Sequence, residues 1–115
     1  MSATREQLLA RYGSLLSIYG PLLSEDGRQL MQLYYDEDLS LAEIAQTRDL
    51  SRQAVSGALQ RQRRLLDRYE SVLKLSEREA WLHKHISLVK SHLQTGQTTK
   101  ALSLLDDIGR QLGEN

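Results

Sequence analysis

Between residues 51 and 64 the chain gathers side chains with the chemistry of nucleic-acid recognition. Ser51, Arg52, Gln53, Ser56 and Gln60 bring hydroxyl, guanidinium and carboxamide groups, the donors and acceptors that match base edges. Arg61, Arg63 and Arg64 follow directly. Their planar forks of N–H donors fit phosphate oxygens. These eight residues form the candidate nucleic-acid site. Arg52, Gln53, Ser56 and Gln60 are expected to meet the nucleic acid, and Arg61, Arg63 and Arg64 to supply the phosphate contacts. Ser51 has a second duty, because its hydroxyl can accept from an amide in the first turn and so start the helix.

A helix that presents such a face needs a support, and the residues just upstream provide one. Ser40 followed by Glu43 is a capping box, in which side chain and backbone satisfy each other at a helix start. Leu41, Ile44 and Ala45 then fall on one face of a short helix. Two capped helices joined by a tight turn, within residues 39–69, read as a helix-turn-helix whose second helix suits a major groove. The same unit also serves as a plain packing module, so both readings stand at this point.

The charge distribution bears on that choice. The 115 residues carry no net charge. Residues 1–50 hold four arginines against eight acidic residues, whereas residues 51–75 hold six basic residues against two acidic ones. Residues 76–115 balance at five each. The basic excess therefore begins at the second helix of the motif. A basic stripe beside a recognition helix is an electrostatic footprint of phosphate binding. The alternative is that Arg61, Arg63, Arg64 and Arg68 solvate a helix face or pair with the acidic first half.

The remaining chain reads as helix throughout. Leucine supplies most of the apolar content, proline occurs once and phenylalanine is absent, which points to an all-α fold. Leu8, Leu9, Tyr12, Leu15, Leu16 and Tyr19 make one broad apolar face over residues 4–19, stopped by Gly20-Pro21. Ser24 caps a second helix over 25–35, with Asp36-Glu37-Asp38 as its exit. The helix beginning after Ser51 is expected to run unbroken to about residue 75, with Val55, Leu59, Leu66, Tyr69 and Leu73 as an apolar stripe of alternating 3,4 spacing that needs a partner surface, interrupted by Gln62. Gly57 is its one glycine and weakens it by about 1 kcal/mol relative to alanine, so a close approach of backbone or nucleic acid is expected there.

Ser76 with Glu79 predicts a further capping box opening a helix over 77–94, and Gly96 its end. A last helix over 99–112 completes an antiparallel hairpin. The expected organisation is residues 1–75 as a helix-turn-helix domain with N-terminal helices, and 76–115 as a C-terminal hairpin for packing or dimerisation. Leu82, Ile86, Val89 and Leu93 on one helix, and Leu102, Leu105, Ile108 and Leu112 on the other, need a partner surface. A homodimer is the simplest cover.

Several classes of chemistry are excluded or disfavoured. Without cysteine there is no disulfide, thiolate catalysis or cysteine-ligated metal. His83, His85 and His92 lack nearby acids at ligand spacing and read as surface or interface histidines, so no metal is expected. No phosphate loop, nucleophile elbow or dinucleotide fingerprint occurs. A non-enzyme with no cofactor and no small-molecule substrate is expected. No secretory segment opens the chain and no apolar run nears the ~20 residues of a membrane span, so a cytoplasmic location without membrane insertion is expected.

Leu33-Tyr34-Tyr35, Asp38, Ser40-Leu41-Ala42-Glu43-Ile44-Ala45, Ser51-Arg52-Gln53-Ala54-Val55 and Tyr69-Glu70, at this spacing, closely resemble the YlxM family of small bacterial proteins. That resemblance implies an all-α fold similar to the sigma-factor region that reads the −35 promoter element, and a dimer. It also implies an accessory or regulatory role in the signal recognition particle pathway, with the particle's RNA or its GTPase as partner. Two alternatives remain: a sequence-specific DNA-binding transcription regulator, and a protein-interaction dimer without nucleic-acid binding. This chain departs from the family pattern in the turn, where Arg48-Asp49-Leu50 replace a segment that usually holds glycine, and at Ser56 and Gly57, which stand where tyrosine and aspartate are usual.

Overall fold

A computed structural model describes residues 3–113. Six α-helices follow one another: α1 (Arg5–Tyr19), α2 (Glu25–Tyr35), α3 (Leu41–Arg48), α4 (Arg52–Leu73), α5 (Leu75–Gln94) and α6 (Thr98–Gln111). A single 3₁₀ turn, Gly20–Leu22, holds Pro21 where its missing N–H does no harm. No strand occurs among the described residues. The chain divides into two compact units, Met1–Ser76 and Glu77–Asn115.

Each helix of the first unit starts where a side chain satisfies its orphan amides. Thr4 accepts from the Gln7 amide at 3.1 Å while the Gln7 carboxamide accepts from the Thr4 amide at 2.9 Å. Ser24 accepts from the Gly27 amide at 3.1 Å. Ser40 and Glu43 form the expected reciprocal box, at 3.0 and 3.1 Å. The Ser40 amide, and then its hydroxyl, hold the Glu43 carboxyl below its ordinary range. Ser51 accepts from the Ala54 amide at 3.0 Å and opens α4.

The core of this unit lies where α4 meets α1, α2 and α3. Leu15, Leu16 and Tyr19 of α1, Leu30 and Met31 of α2, and Ile44 and Ala45 of α3 close over Val55, Leu59 and Leu66 of α4. Leu59 and Leu66 are essentially inaccessible, and burial of such a side chain is worth about 1.5–3 kcal/mol. Gln62, which breaks the apolar pattern of α4, lies over Gly27, where a Cβ would collide with its carboxamide. α2 and α4 approach closely there because one carries no side chain.

Polar side chains tie the same helices together. Asp67 on α4 accepts from the Arg11 guanidinium and from the Tyr12 hydroxyl, both at 2.7 Å. Arg48 on α3 reaches Asp26 on α2 at 3.2 Å. The Tyr19 hydroxyl donates to Glu70 at 2.6 Å and accepts from the Leu75 amide at 3.0 Å. Glu70 also accepts from the Ser76 amide at 3.0 Å. Burial, and then the Glu70 carboxylate, push the Tyr19 phenol above its ordinary value.

These contacts correct two sequence expectations. The fourth helix does not run to residue 75; it ends at Leu73, and Lys74 takes a left-handed conformation with φ 55°. The Ser76–Glu79 capping box does not open the next helix. Ser76 is already its second residue, and the first amides of α5 are satisfied by Tyr19 and Glu70 instead. Local pattern could not foresee a cap delivered from 56 residues away.

A second left-handed residue answers the missing glycine of the helix-turn-helix. Asp49 closes α3 with φ 54° and ψ 48°, and the Leu50 amide bonds back to the Ala45 carbonyl at 2.9 Å. An acidic residue thus occupies a conformation that favours glycine.

In the second unit, α5 and α6 form an antiparallel hairpin around Gly96, which has φ 74°. His92 and Gln97 close one end at 2.8 Å, and the Arg78 guanidinium donates to the Gln111 carbonyl at 3.4 Å near the other. Val89 and Ala101 are buried, whereas Ile86, Leu93, Leu102, Leu105 and Leu112 are exposed. The apolar stripes of this hairpin are therefore only partly covered.

Substituting Asp49→Gly is expected to raise the unfolding free energy by up to about 1 kcal/mol, because the left-handed strain is relieved. Urea denaturation would show it as a higher midpoint with an unchanged slope. A lower midpoint would mean that the Asp49 side chain stabilises the turn by its own bonds.

Candidate nucleic-acid interface

The burial of Val55, Leu59 and Leu66 decides which face of α4 remains outside. Gln53, Gly57, Gln60, Arg61, Arg64 and Arg68 are spaced by three, four or seven residues and share one side of the helix. Gln53, Gln60, Arg61, Arg64 and Arg68 are exposed. The opposite side is the core, so the helix is fixed in rotation by packing and its outer face is defined.

The arginines of that face are not neutralised by any described carboxylate. Ion pairs occupy Arg11, Arg28, Arg48 and Arg110, with Asp67, Glu25, Asp26 and Asp107 as partners. Among the described residues, Arg61, Arg64 and Arg68 have no carboxylate within ion-pair distance. With Leu65 they line a shallow surface depression of about 340 Å³. The acidic first half of the chain therefore does not pair with this stripe.

The eight residues singled out from the sequence do not all act together. Gln53, Gln60, Arg61 and Arg64 stand on the outer face. Arg52 and Ser56 are exposed on its flank, in the first turns of α4. Ser51 precedes the helix, and its hydroxyl oxygen is engaged with the Ala54 amide. Arg63 is turned away from Arg61 and Arg64, since residues one or two apart on a helix do not share a face. Its guanidinium donates to the Tyr35 hydroxyl at 3.1 Å and lies 6.0 Å from the Tyr12 ring centre.

Arg68 was not among the candidates and joins the stripe. Its position four residues beyond Arg64 and seven beyond Arg61 was the available signal. Gly57 falls in the middle of the outer face. A Cβ there would meet only the end of Arg61, at 3.7 Å, so no close approach of this protein's own backbone requires the glycine.

His85, His92 and several other side chains of the second unit have local partners. Trp81 is half-buried and stacks on His85 with ring centres 3.8 Å apart, and His85 Nδ1 donates to the Trp81 carbonyl at 2.9 Å. His92 bonds to Gln97. Asp107 pairs with Arg110. Among the described residues, no three of His, Cys, Asp or Glu gather as a metal ligand set. No described helix is long and apolar enough to cross a membrane.

A capped short helix, a left-handed turn and a longer helix with a polar outer face define a helix-turn-helix protein. Comparison with known families narrows the class. Residues 6–105 match the model of the UPF0122 family, described as "Putative helix-turn-helix protein, YlxM / p13 like", and the chain belongs to that family. A UPF0122 protein of Clostridium kluyveri is 37% identical over 105 residues, covering 91% of this chain and 95% of the relative. One from Shouchella clausii is 35% identical over 97 residues, covering 84% and 89%. One from Clostridium acetobutylicum is 47% identical over 64 residues, covering 56% and 55%.

Because no protein contact requires Gly57, Gly57→Ala is expected to stabilise the fold by about 0.8–1 kcal/mol, through helix propensity alone. Thermal denaturation monitored at 222 nm in the far-UV circular dichroism would register it as a higher midpoint. A loss of stability would reveal a packing constraint on the glycine.

Proposed function

We propose that this protein is a nucleic-acid-binding accessory factor of the signal recognition particle pathway, and that α4 binds the particle's RNA. The observation that carries the reading is the row of Arg61, Arg64 and Arg68, unpaired by any carboxylate among the described residues and continuous with Gln53 and Gln60. Uncompensated guanidiniums in a row on a rigid helix are suited to successive phosphates. The tie to the pathway comes from the resemblance to YlxM. The role is one of binding, not catalysis, and its setting is the cytoplasm.

Gly57 fits the same reading, since a missing side chain in the centre of the face lets a ligand backbone approach the helix. Exposed Ile86, Leu93, Leu102 and Leu105 support a homodimer formed through the second unit, because scattered single leucines are common on surfaces but stripes of them are not.

The test is fluorescence anisotropy with labelled signal recognition particle RNA, a scrambled RNA of equal length and a DNA duplex. The particle RNA is expected to bind most tightly. Three phosphate contacts lower affinity about 100- to 500-fold over a roughly tenfold rise in salt. The double variant Arg61→Glu/Arg64→Glu should abolish binding without changing the melting temperature. An affinity independent of salt would overturn the reading. Preference for one duplex sequence, lost in Gln53→Ala, would make the protein a DNA-binding regulator instead.

Light scattering tests the dimer separately. The native chain should run at twice its mass of 13.1 kDa, and Leu102→Glu/Leu105→Glu as a folded monomer. A monomeric native protein would refute the pairing.

A further inference from the structure

The N-terminal half of α1 carries its apolar face beyond the edge of the core. Leu8 is 43% exposed and Leu9 and Tyr12 are half-buried, while Leu15 and Leu16, one to two turns on, are sealed. The end of α2 brings Tyr34 and Tyr35 beside them, and α4 contributes Arg63. With Arg5 at the start of α1, these residues enclose a cleft of about 370 Å³, within the range of small-ligand sites.

The chemistry of the cleft is specific. Its floor is aliphatic and its walls are aromatic: Tyr34 meets Tyr35 edge-on at 4.9 Å, and Tyr12 lies 6.2 Å from Tyr35. Among the described residues its two charges are both positive and no carboxylate lines it. Asp67, the acid nearest Tyr12, is already occupied by the Tyr12 hydroxyl and by Arg11. Arg63 gives one N–H to Tyr35, which holds the guanidinium in place and leaves further donors free. The Tyr34 hydroxyl has no hydrogen-bond partner among the described residues and can meet a polar edge. An occupant must therefore be flat, partly apolar and anionic.

We propose that this cleft binds one nucleotide, with its base against the tyrosine rings and its phosphate between Arg5 and Arg63. Base stacking on aromatic side chains beside arginine is how unpaired nucleotides are held. The site is distinct from the Arg61–Arg64–Arg68 face, because Arg63 points to another side of α4. It stands or falls independently of the function proposed above.

The test uses the whole protein, isotopically labelled, titrated with AMP, GMP, CMP and UMP and with a short single-stranded RNA of about four nucleotides. Tyrosine ring resonances in NMR spectra report the site, and calorimetry the affinity. Saturable binding that moves the Tyr12, Tyr34 and Tyr35 signals is expected. Binding of mononucleotides would mark a free nucleotide as sufficient; binding of the oligonucleotide alone would mark an unpaired nucleotide within a strand. Both outcomes support the proposal.

Arg5→Ala, at an exposed position, should weaken binding about tenfold, and Tyr34→Leu, which keeps bulk but removes the ring, about fivefold or more. Arg61→Glu/Arg64→Glu should leave mononucleotide binding within about twofold, since that pair lies on another face. Failure of every mononucleotide and of the oligonucleotide to saturate would overturn the proposal. So would inorganic phosphate binding as tightly as AMP, or unchanged affinity in Arg5→Ala. Binding of an acidic, aromatic peptide in place of nucleotides would make the cleft a peptide site and end the nucleotide reading.

Discussion

Everything in the first unit is arranged around the burial of one side of α4. Val55, Leu59 and Leu66 are closed over by three other helices, so α4 cannot rotate about its axis without exposing them. That single constraint decides what the opposite side can do. Arginines on a helix free to turn would be a diffuse positive charge. Held by the core, the backbone positions of Arg61, Arg64 and Arg68 keep fixed spacing on one exposed side of the helix. The same constraint sends Arg63 to the flank, where it closes an aromatic cleft instead of extending the stripe.

The electrostatics of the molecule follow a division of labour among its arginines. Arg11, Arg28, Arg48 and Arg110 are held by carboxylates, and Arg63 by a phenol. Such exposed or half-exposed pairs add little stability each. Three of these pairs occupy acids of α2 and α4, at Glu25, Asp26 and Asp67, and no described carboxylate lies within ion-pair distance of the stripe even though the whole chain is neutral. Net charge alone therefore misstates what a ligand approaching α4 would encounter.

The helix ends show how non-glycine residues can hold demanding turns. Asp38, Asp49 and Lys74 all adopt positive φ. At Asp49 the turn joins the two helices of the motif, and at Lys74 it separates α4 from α5. The second turn is secured by Tyr19 and Glu70, which satisfy the Leu75 and Ser76 amides. Tyr19 thus belongs to the core by its ring and to the next helix start by its hydroxyl. This double use gives a buried tyrosine at this position a role that leucine, without a hydroxyl, could not take.

The sequence by itself determined much of this protein. The all-α class, the bounds of α2, the caps at Ser24, Ser40 and Ser51, and the helix-turn-helix are local properties. They depend on periodicity and on side chains reaching their own backbone three residues away, which a linear reading captures. Four features were decided by tertiary structure alone. The break at Lys74 depends on a tyrosine from α1. The exposure of Leu8 depends on where the core ends, since Leu8 and Leu15 share one stripe. The placing of Arg63 against Tyr35 and Tyr12 depends on which face α4 buries. The absence of any protein contact requiring Gly57 depends on what surrounds it. In each case the deciding partner lies far away in the chain, and a pattern of nearby residues cannot say which distant group will arrive to cover, bond or leave open a given side chain.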